Sequence, residues 1–239
     1  MAKPVYAWHF VKSDERGLIL RDGTPAPKAG ETLKMDGEII PCKRGYHASV
    51  NPLDACYFAP GSYITRVKLG GTIKRHGGNK VVASERTILY GFEASRVLRL
   101  FACWCVRNTK LADGRTPWDL LTDERSRRAV EVAEAFALGN ATHAAWYAAR
   151  YAAWDVASDA AWYAARAAAG AAASDAAWGA AWDAARYADW AAARDAAGDA
   201  VWDAVWDAAR DTAGDAASKQ LTKMLKDEAE RLNVYRPDR

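Results

Sequence analysis

The sequence predicts an α+β protein: a β-rich N-terminal domain over residues 1–107, followed by an all-α bundle of alanine- and tryptophan-rich helices over residues 108–235. Three observations carry that expectation. Residues 1–92 alternate apolar and polar side chains between turn signals. Residues 141–218 are written in four-residue words such as Ala-Ala-Trp-Asp and Ala-Ala-Arg-Tyr, with 37 alanines and eight tryptophans in 78 positions. No proline falls between Pro117 and Pro237, so nothing of that kind interrupts a helical backbone there.

In the first half, residues 5–11 read as a strand and residues 17–20 as a second, followed by a turn at Asp22-Gly23. Residues 30–35 and 38–41 flank Asp36-Gly37, a dipeptide that favours a hairpin. Residues 62–69 alternate cleanly, and Gly70-Gly71 is expected to end that strand. Residues 80–83 and 86–90 read as two further strands, which leaves Glu85 in a turn between them. A short helix is expected over residues 51–59, with Pro52 in its first turn and Asn51 or Ser49 as its cap. A longer helix begins near Glu93 and carries Val97, Leu98, Phe101, Ala102 and Cys105 on its apolar side.

The second half opens with a short helical piece at Pro117 and Trp118. Residues 124–137 follow as a helix with Ala129, Val132, Ala133 and Phe136 on one side, ended by Gly139-Asn140. In the repeats, a strict period of four set against 3.6 residues per turn makes the tryptophan stripe drift by about 40° per word. A single straight rod would therefore leave many indoles in water, so shorter packed helices are expected, with breaks near residues 158, 174, 198 and 214. Trp182 and Arg186 form one of five Trp–Arg pairs at i,i+4 that can stack cation on ring. Packing explains these pairs, but arginine beside indole also suits a planar anion, which makes Trp182 and Arg186 candidate ligand residues. Residues 219–232 form an ordinary amphipathic helix with Leu221, Met224, Leu225, Ala229 and Leu232 as its stripe. It is expected to close the bundle, with residues 233–239 fraying.

The net charge of +3 conceals an asymmetry. Residues 1–140 hold 22 Lys or Arg against 15 Asp or Glu, a net +7, whereas residues 141–218 hold five Arg against eleven Asp, a net −6. The basic half can attract an anionic partner; the acidic repeats argue against nucleic acid. The four cysteines, at 42, 56, 103 and 105, have no metal-ligand spacing and read as buried free thiols in a reducing, cytoplasmic compartment. No metal, no cofactor and no membrane span are expected.

Among the polar groups of the first half, His9, Tyr46, His47, Ser49, Tyr57, His76, Lys80, Ser84, Glu85 and Arg86 stand out. His47 and Ser49 lie where a strand hands over to a helix, a common place for a pocket, and the pair beside a helix N-terminus suits an anion. Arg86, next to Glu85, reads as its surface salt-bridge partner. Serine and histidine without a defined mutual geometry do not make a triad.

The segments Gly45–Ser49, Pro52–Ala55, Tyr57–Pro60, Arg66–Leu69 and Lys80–Leu89 resemble a domain family of uncharacterised bacteriophage and bacterial proteins, over about residues 4–107. That resemblance implies a phage or bacterial setting and no defined activity. More distantly, the Gly45–Ser49 turn and the helix after it resemble the start of ADP-ribosyltransferase-like folds. By that resemblance His47 would hold the nicotinamide ribose, Tyr57 would pack on the ring and Glu85 would be the acid. Residues 115–235, most specifically 118–142, resemble an alanine-rich immunity-protein group found near phage and toxin genes.

The function expected is non-catalytic binding by a phage accessory protein, to a host protein or a small anionic ligand, with antagonism of host defence as its setting. An ADP-ribosyltransferase-like enzyme and a purely structural, oligomer-forming protein are the alternatives. A homo-oligomer is expected, because eight tryptophans on smooth alanine-rich helices leave apolar faces over.

Overall fold

A computed structural model describes residues 3–15, 17–110, 114–121, 124–156 and 213–235. The elements are β1 (Val5–Asp14), β2 (Gly17–Ile19), β3 (Thr32–Lys34), β4 (Tyr46–Ala48), α1 (Pro52–Tyr57), β5 (Tyr63–His76), β6 (Lys80–Glu93), α2 (Ser95–Asn108), α3 (Pro117–Leu120), α4 (Glu124–Ala137), α5 (His143–Val156) and α6 (Ala213–Arg231). A β-rich N-terminal region is followed by helices, which is the α+β class that the sequence predicts. The chain divides into two compact units, Met1–Ser95 with Leu221–Arg239, and Arg96–Gln220.

The first unit is a six-stranded antiparallel sheet in the order β2-β1-β5-β6-β3, with β4 also on β6. Its spine is the long β5–β6 hairpin. His76 pairs with Lys80 across a tight turn in which Gly77 and Gly78 both take positive φ, a conformation glycine adopts at little cost. Gly70-Gly71 does not end β5, as the sequence suggests. The pairing shifts register between Gly70 and Ile73, and the strand bends and continues to His76. Gly71 is required there: its φ is +66°, and a Cβ would stand 2.1 Å from Ser84 Oγ. Residues 80–93 are likewise one strand, so Glu85 lies mid-strand and not in a turn.

The expected hairpin at Asp36-Gly37 does not form either. β3 instead pairs with β6, Leu33 opposite Arg86, and residues 38–44 make a loop closed by an Ile40–Arg44 bridge. That loop brings β4 onto the other end of β6. Past β4, Ser49 bridges back to Trp8 through two backbone hydrogen bonds of 2.7 and 3.0 Å. The sheet thus curls until β4 meets β1. Small side chains fit this curvature: Ala7, Ala48 and Ala83 pack with Val67, Leu69, Val81 and Ile88 in a fully covered cluster. Helix α1 starts at Pro52, and the Asn51 side chain accepts the Leu53 N–H at 2.9 Å, so Asn51 is the cap.

Also in this unit, residues 221–235 carry Leu221, Leu225 and Ala229 fully buried. The sequence has this helix close the bundle; it belongs with the sheet instead. Leu232, counted in its apolar stripe, is exposed. Residues 233–235 do not fray. Asn233, at φ +55°, donates to Glu230 O and Val234 N–H donates to Ala229 O, which caps the helix end, and the Tyr235 ring lies 5.8 Å from Tyr90.

In the second unit, helix α2 buries Val97, Leu98, Phe101, Ala102, Cys103 and Cys105. Helix α3 opens with a capping box: Thr116 Oγ1 accepts from Asp119 N–H, and the Asp119 carboxylate accepts from Thr116 N–H at 2.7 Å. The turn between α4 and α5 passes through Gly139 at φ +81° and stacks Phe136 on Trp146 at 5.3 Å. Burial pushes the Cys103 thiol up to about 11 and the Cys105 thiol up to about 12. Cys42, expected to be buried, is exposed. Beyond α5, the repeats from residue 157 to 212 lie outside the described residues, and so do the expected helix breaks at 158, 174 and 198.

Candidate anion-binding site

Arg86 is the least expected side chain in the sheet. It stands on β6 between Leu33 of β3 and Leu69 of β5, and it is only 3% exposed. Directly paired residues of an antiparallel sheet share a face, so Arg86 lies on the face of Leu69, a member of the covered apolar cluster. Its Nη1 donates to the His47 carbonyl at 3.2 Å, and its guanidinium sits 5.3 Å from the Tyr46 ring centre. Its Nε is fully covered and has no hydrogen-bond partner. Among the described residues no carboxylate lies within ion-pair distance of it. Desolvation lowers its pKa to about 10, with Tyr46 and Asp22 opposing that shift. It remains a cation at neutral pH.

His9 joins it. Alternation along β1 puts His9 on the face of Ala7, again the face of the covered cluster. Its Nδ1 is covered and unpartnered. Burial holds its pKa well below the usual histidine value, helped by the charges of Arg86 and Arg21 and by His47, so His9 is neutral at pH 7. One face of the sheet therefore holds a buried cation with no described carboxylate in ion-pair range, a neutral imidazole within its electrostatic reach and two unsatisfied nitrogens, beside aliphatic side chains and a tyrosine ring.

The residues singled out from the sequence stand as follows. His47 Nε2 accepts the Cys42 N–H at 2.9 Å, which places the proton of the neutral ring on Nδ1. Its pKa is lowered by burial, against a backbone hydrogen bond that raises it. His47 thus meets Arg86 through its backbone carbonyl, while its ring serves the loop before β4. Ser49 is buried and its backbone closes the sheet onto Trp8. The helix N-terminus beside this pair is capped internally by Asn51. Tyr57 is exposed and sets its ring edge against Phe58 at 4.8 Å. Glu85 pairs with Lys34 at 3.3 Å, so the expected Glu85–Arg86 surface pair is replaced by a Lys34 pair on one side and a buried arginine on the other. Trp182 and Arg186 lie outside the described residues.

The helical unit has arginines of a different kind. Arg107 lies 4.0 Å from the Trp118 ring centre and pairs with Glu134 at 3.2 Å; Arg99 lies 5.1 Å from Phe136 and 5.3 Å from Trp146. These contacts fasten α2 to its neighbours and mark no site. Among the described residues no three His, Cys, Asp or Glu side chains come together as metal ligands, and no helix is long and apolar enough to cross a membrane.

Sequence reasoning singled out Arg86 but gave it a surface partner. The signal that distinguishes it is positional: an arginine two residues before Ile88 on a strand whose neighbours are apolar. No curated protein and no solved structure matches the chain. Residues 11–100, a span that contains His47 and Arg86 and starts two positions after His9, match a family described as a domain of unknown function (DUF7666).

Proposed function

We propose that the chain is a non-catalytic binding protein whose N-terminal domain receives a small anionic ligand. The observation that supports this reading is Arg86: a cation taken out of water with one carbonyl, one ring and no counter-ion. A buried charge without a partner costs several kcal/mol, and a bound anion removes that cost. The aliphatic surroundings and neutral His9 suit recognition without bond-making. The ADP-ribosyltransferase reading draws no support from the geometry. It needs a carboxylate free to stabilise charge on the ribose, and Glu85 is engaged with Lys34.

The proposal keeps the setting that the resemblances imply: a phage accessory protein acting in a host cytoplasm, as a homo-oligomer or on a host protein. What supports that setting is the likeness of residues 118–142 and the composition of the repeats.

Native mass spectrometry of the freshly purified full chain, set against its denatured mass, tests the reading. A small retained adduct is expected, with no nicotinamide released from NAD. Nicotinamide release by the wild type, abolished by Glu85→Gln, would overturn it in favour of the enzyme.

A further inference from the structure

The free edge of Arg86 narrows the class of ligand, given the anion-receptor reading above. A guanidinium has two edges suited to paired acceptors. Nη1 of Arg86 is committed to the His47 carbonyl. The edge made by Nε–H and the Nη2 hydrogen on the same side keeps its donors: Nε is unpartnered but covered, so an acceptor reaches it once neighbouring side chains give way, and among the described residues the hydrogen bond of this guanidinium is the Nη1 bond to His47. Two parallel N–H groups in one plane match the two oxygens of one carboxylate.

Charge points the same way. Of the charged groups that act on the pair, Arg21 and Asp22 offset each other and His9 is neutral, so Arg86 leaves the site one net positive charge. A singly charged ligand balances it; a phosphate dianion would leave a net negative charge against Ala7, Leu69 and Ile88, where water cannot solvate it. The unsatisfied Nδ1 of His9, on the same face and within the electrostatic reach of Arg86, offers a second polar group to a ligand there, as donor or acceptor according to tautomer. Tyr46, whose hydroxyl donates to the Lys34 carbonyl at 3.1 Å, holds its ring against the guanidinium and fixes its plane.

We infer that the curled sheet of the first unit binds a small monocarboxylate, gripped side-on by Nε and Nη2 of Arg86 and contacted by His9. Neither the match to a domain family nor any residue pattern in the sequence assigns this site.

The test uses the full chain and sodium propionate as probe, with sodium chloride, sulfate and phosphate at equal ionic strength and pH 7.5. The inference expects a saturable rise in thermal midpoint with propionate, about 5 °C at a hundredfold excess over the dissociation constant. Chloride, sulfate and phosphate should give no saturable rise. Arg86→Met should abolish the response. Arg86→Lys, which keeps the charge and loses the fork, should weaken binding at least tenfold. If Arg86→Met does not fold, the Lys variant and the wild-type anion series decide. A saturable rise with phosphate or sulfate but not propionate overturns the carboxylate assignment and leaves the anion receptor standing. No rise with any anion overturns both. A propionate response that survives in Arg86→Met, or that keeps its wild-type affinity in Arg86→Lys, places the anion elsewhere and overturns the site.

Discussion

The two units treat a half-hidden or hidden arginine in opposite ways. In the helical unit, Arg107 lies over Trp118 and has the Glu134 carboxylate 3.2 Å away. In the sheet unit, Arg86 lies over Tyr46, is more deeply buried, and has only a backbone carbonyl. Both have a covered Nε without a partner. The difference is charge compensation. Arg107 is an internal fastener, because its counter-ion belongs to the protein. Arg86 is a fastener with its counter-ion missing, and the simplest physical completion is one that arrives from solution. Desolvation of ions is costly enough that an uncompensated guanidinium in a sheet core calls for a compensating gain.

Four changes would break or sharpen that contrast. The largest effect should come from Trp8→Ala. Trp8 is 1% exposed, stands edge-on to Tyr90, has Arg66 over its ring at 4.8 Å, and is where β1 meets Ser49. Its loss should cost about 3–5 kcal/mol in urea unfolding by opening a cavity where the sheet closes. A loss below about 1 kcal/mol would mean that the curled sheet does not depend on this junction.

Next comes Arg86→Met without ligand. Replacing an uncompensated buried cation by an apolar chain of similar volume should leave stability unchanged or raise it by about 1–2 kcal/mol. A loss above about 3 kcal/mol would make Arg86 structural, like Arg107, and remove the contrast. Glu134→Gln is the smaller counterpart. That pair is partly exposed, so the screened contribution should be about 0.5–1 kcal/mol and should shrink with added salt.

The pH dependence gives a fourth check. His9 has its pKa lowered on folding from 6.5, chiefly by burial, so the unfolded chain binds its proton more tightly. Stability should be fully present above about pH 6.5 and fall as the pH drops below it. His47, lowered in the same direction, adds to the trend. Thermal midpoints between pH 8 and 5 should show the decline, and His9→Phe should flatten it. A decline of unchanged steepness in that variant would assign it to other groups.

Much of the local structure was legible in the sequence, because it depends on neighbours along the chain. Asn51 and Pro52 set the start of α1, Pro117 and Trp118 that of α3, and the apolar spacing of Val97, Leu98, Phe101, Ala102 and Cys105 gives the buried face of α2. What depends on distant pairing was not. Gly70-Gly71 reads as a stop, yet opposite β6 it becomes a register shift, because the partner strand holds the chain on both sides. Asp36-Gly37 reads as a hairpin, yet residues 32–34 find β6 instead. The same blindness hid the candidate site. His47 was visible as a polar residue at a strand end, but the strand pairing turns its carbonyl, and not its ring, toward Arg86. Whether Arg86 faces Glu85 or the core is decided by the parity of one strand, and a shift of one residue reverses it.

The most direct measurement follows the side-chain Nε–H signals of Arg86 and Arg107 by nitrogen–proton NMR as sodium propionate is added. Both are covered and unpartnered in the same chain, so each is the other's control. The account predicts that the Arg86 signal, assigned by its loss in Arg86→Lys, shifts progressively to a plateau, while Arg107, already neutralised by Glu134, stays in place. An unmoved Arg86 signal, or equal movement of both, would contradict it.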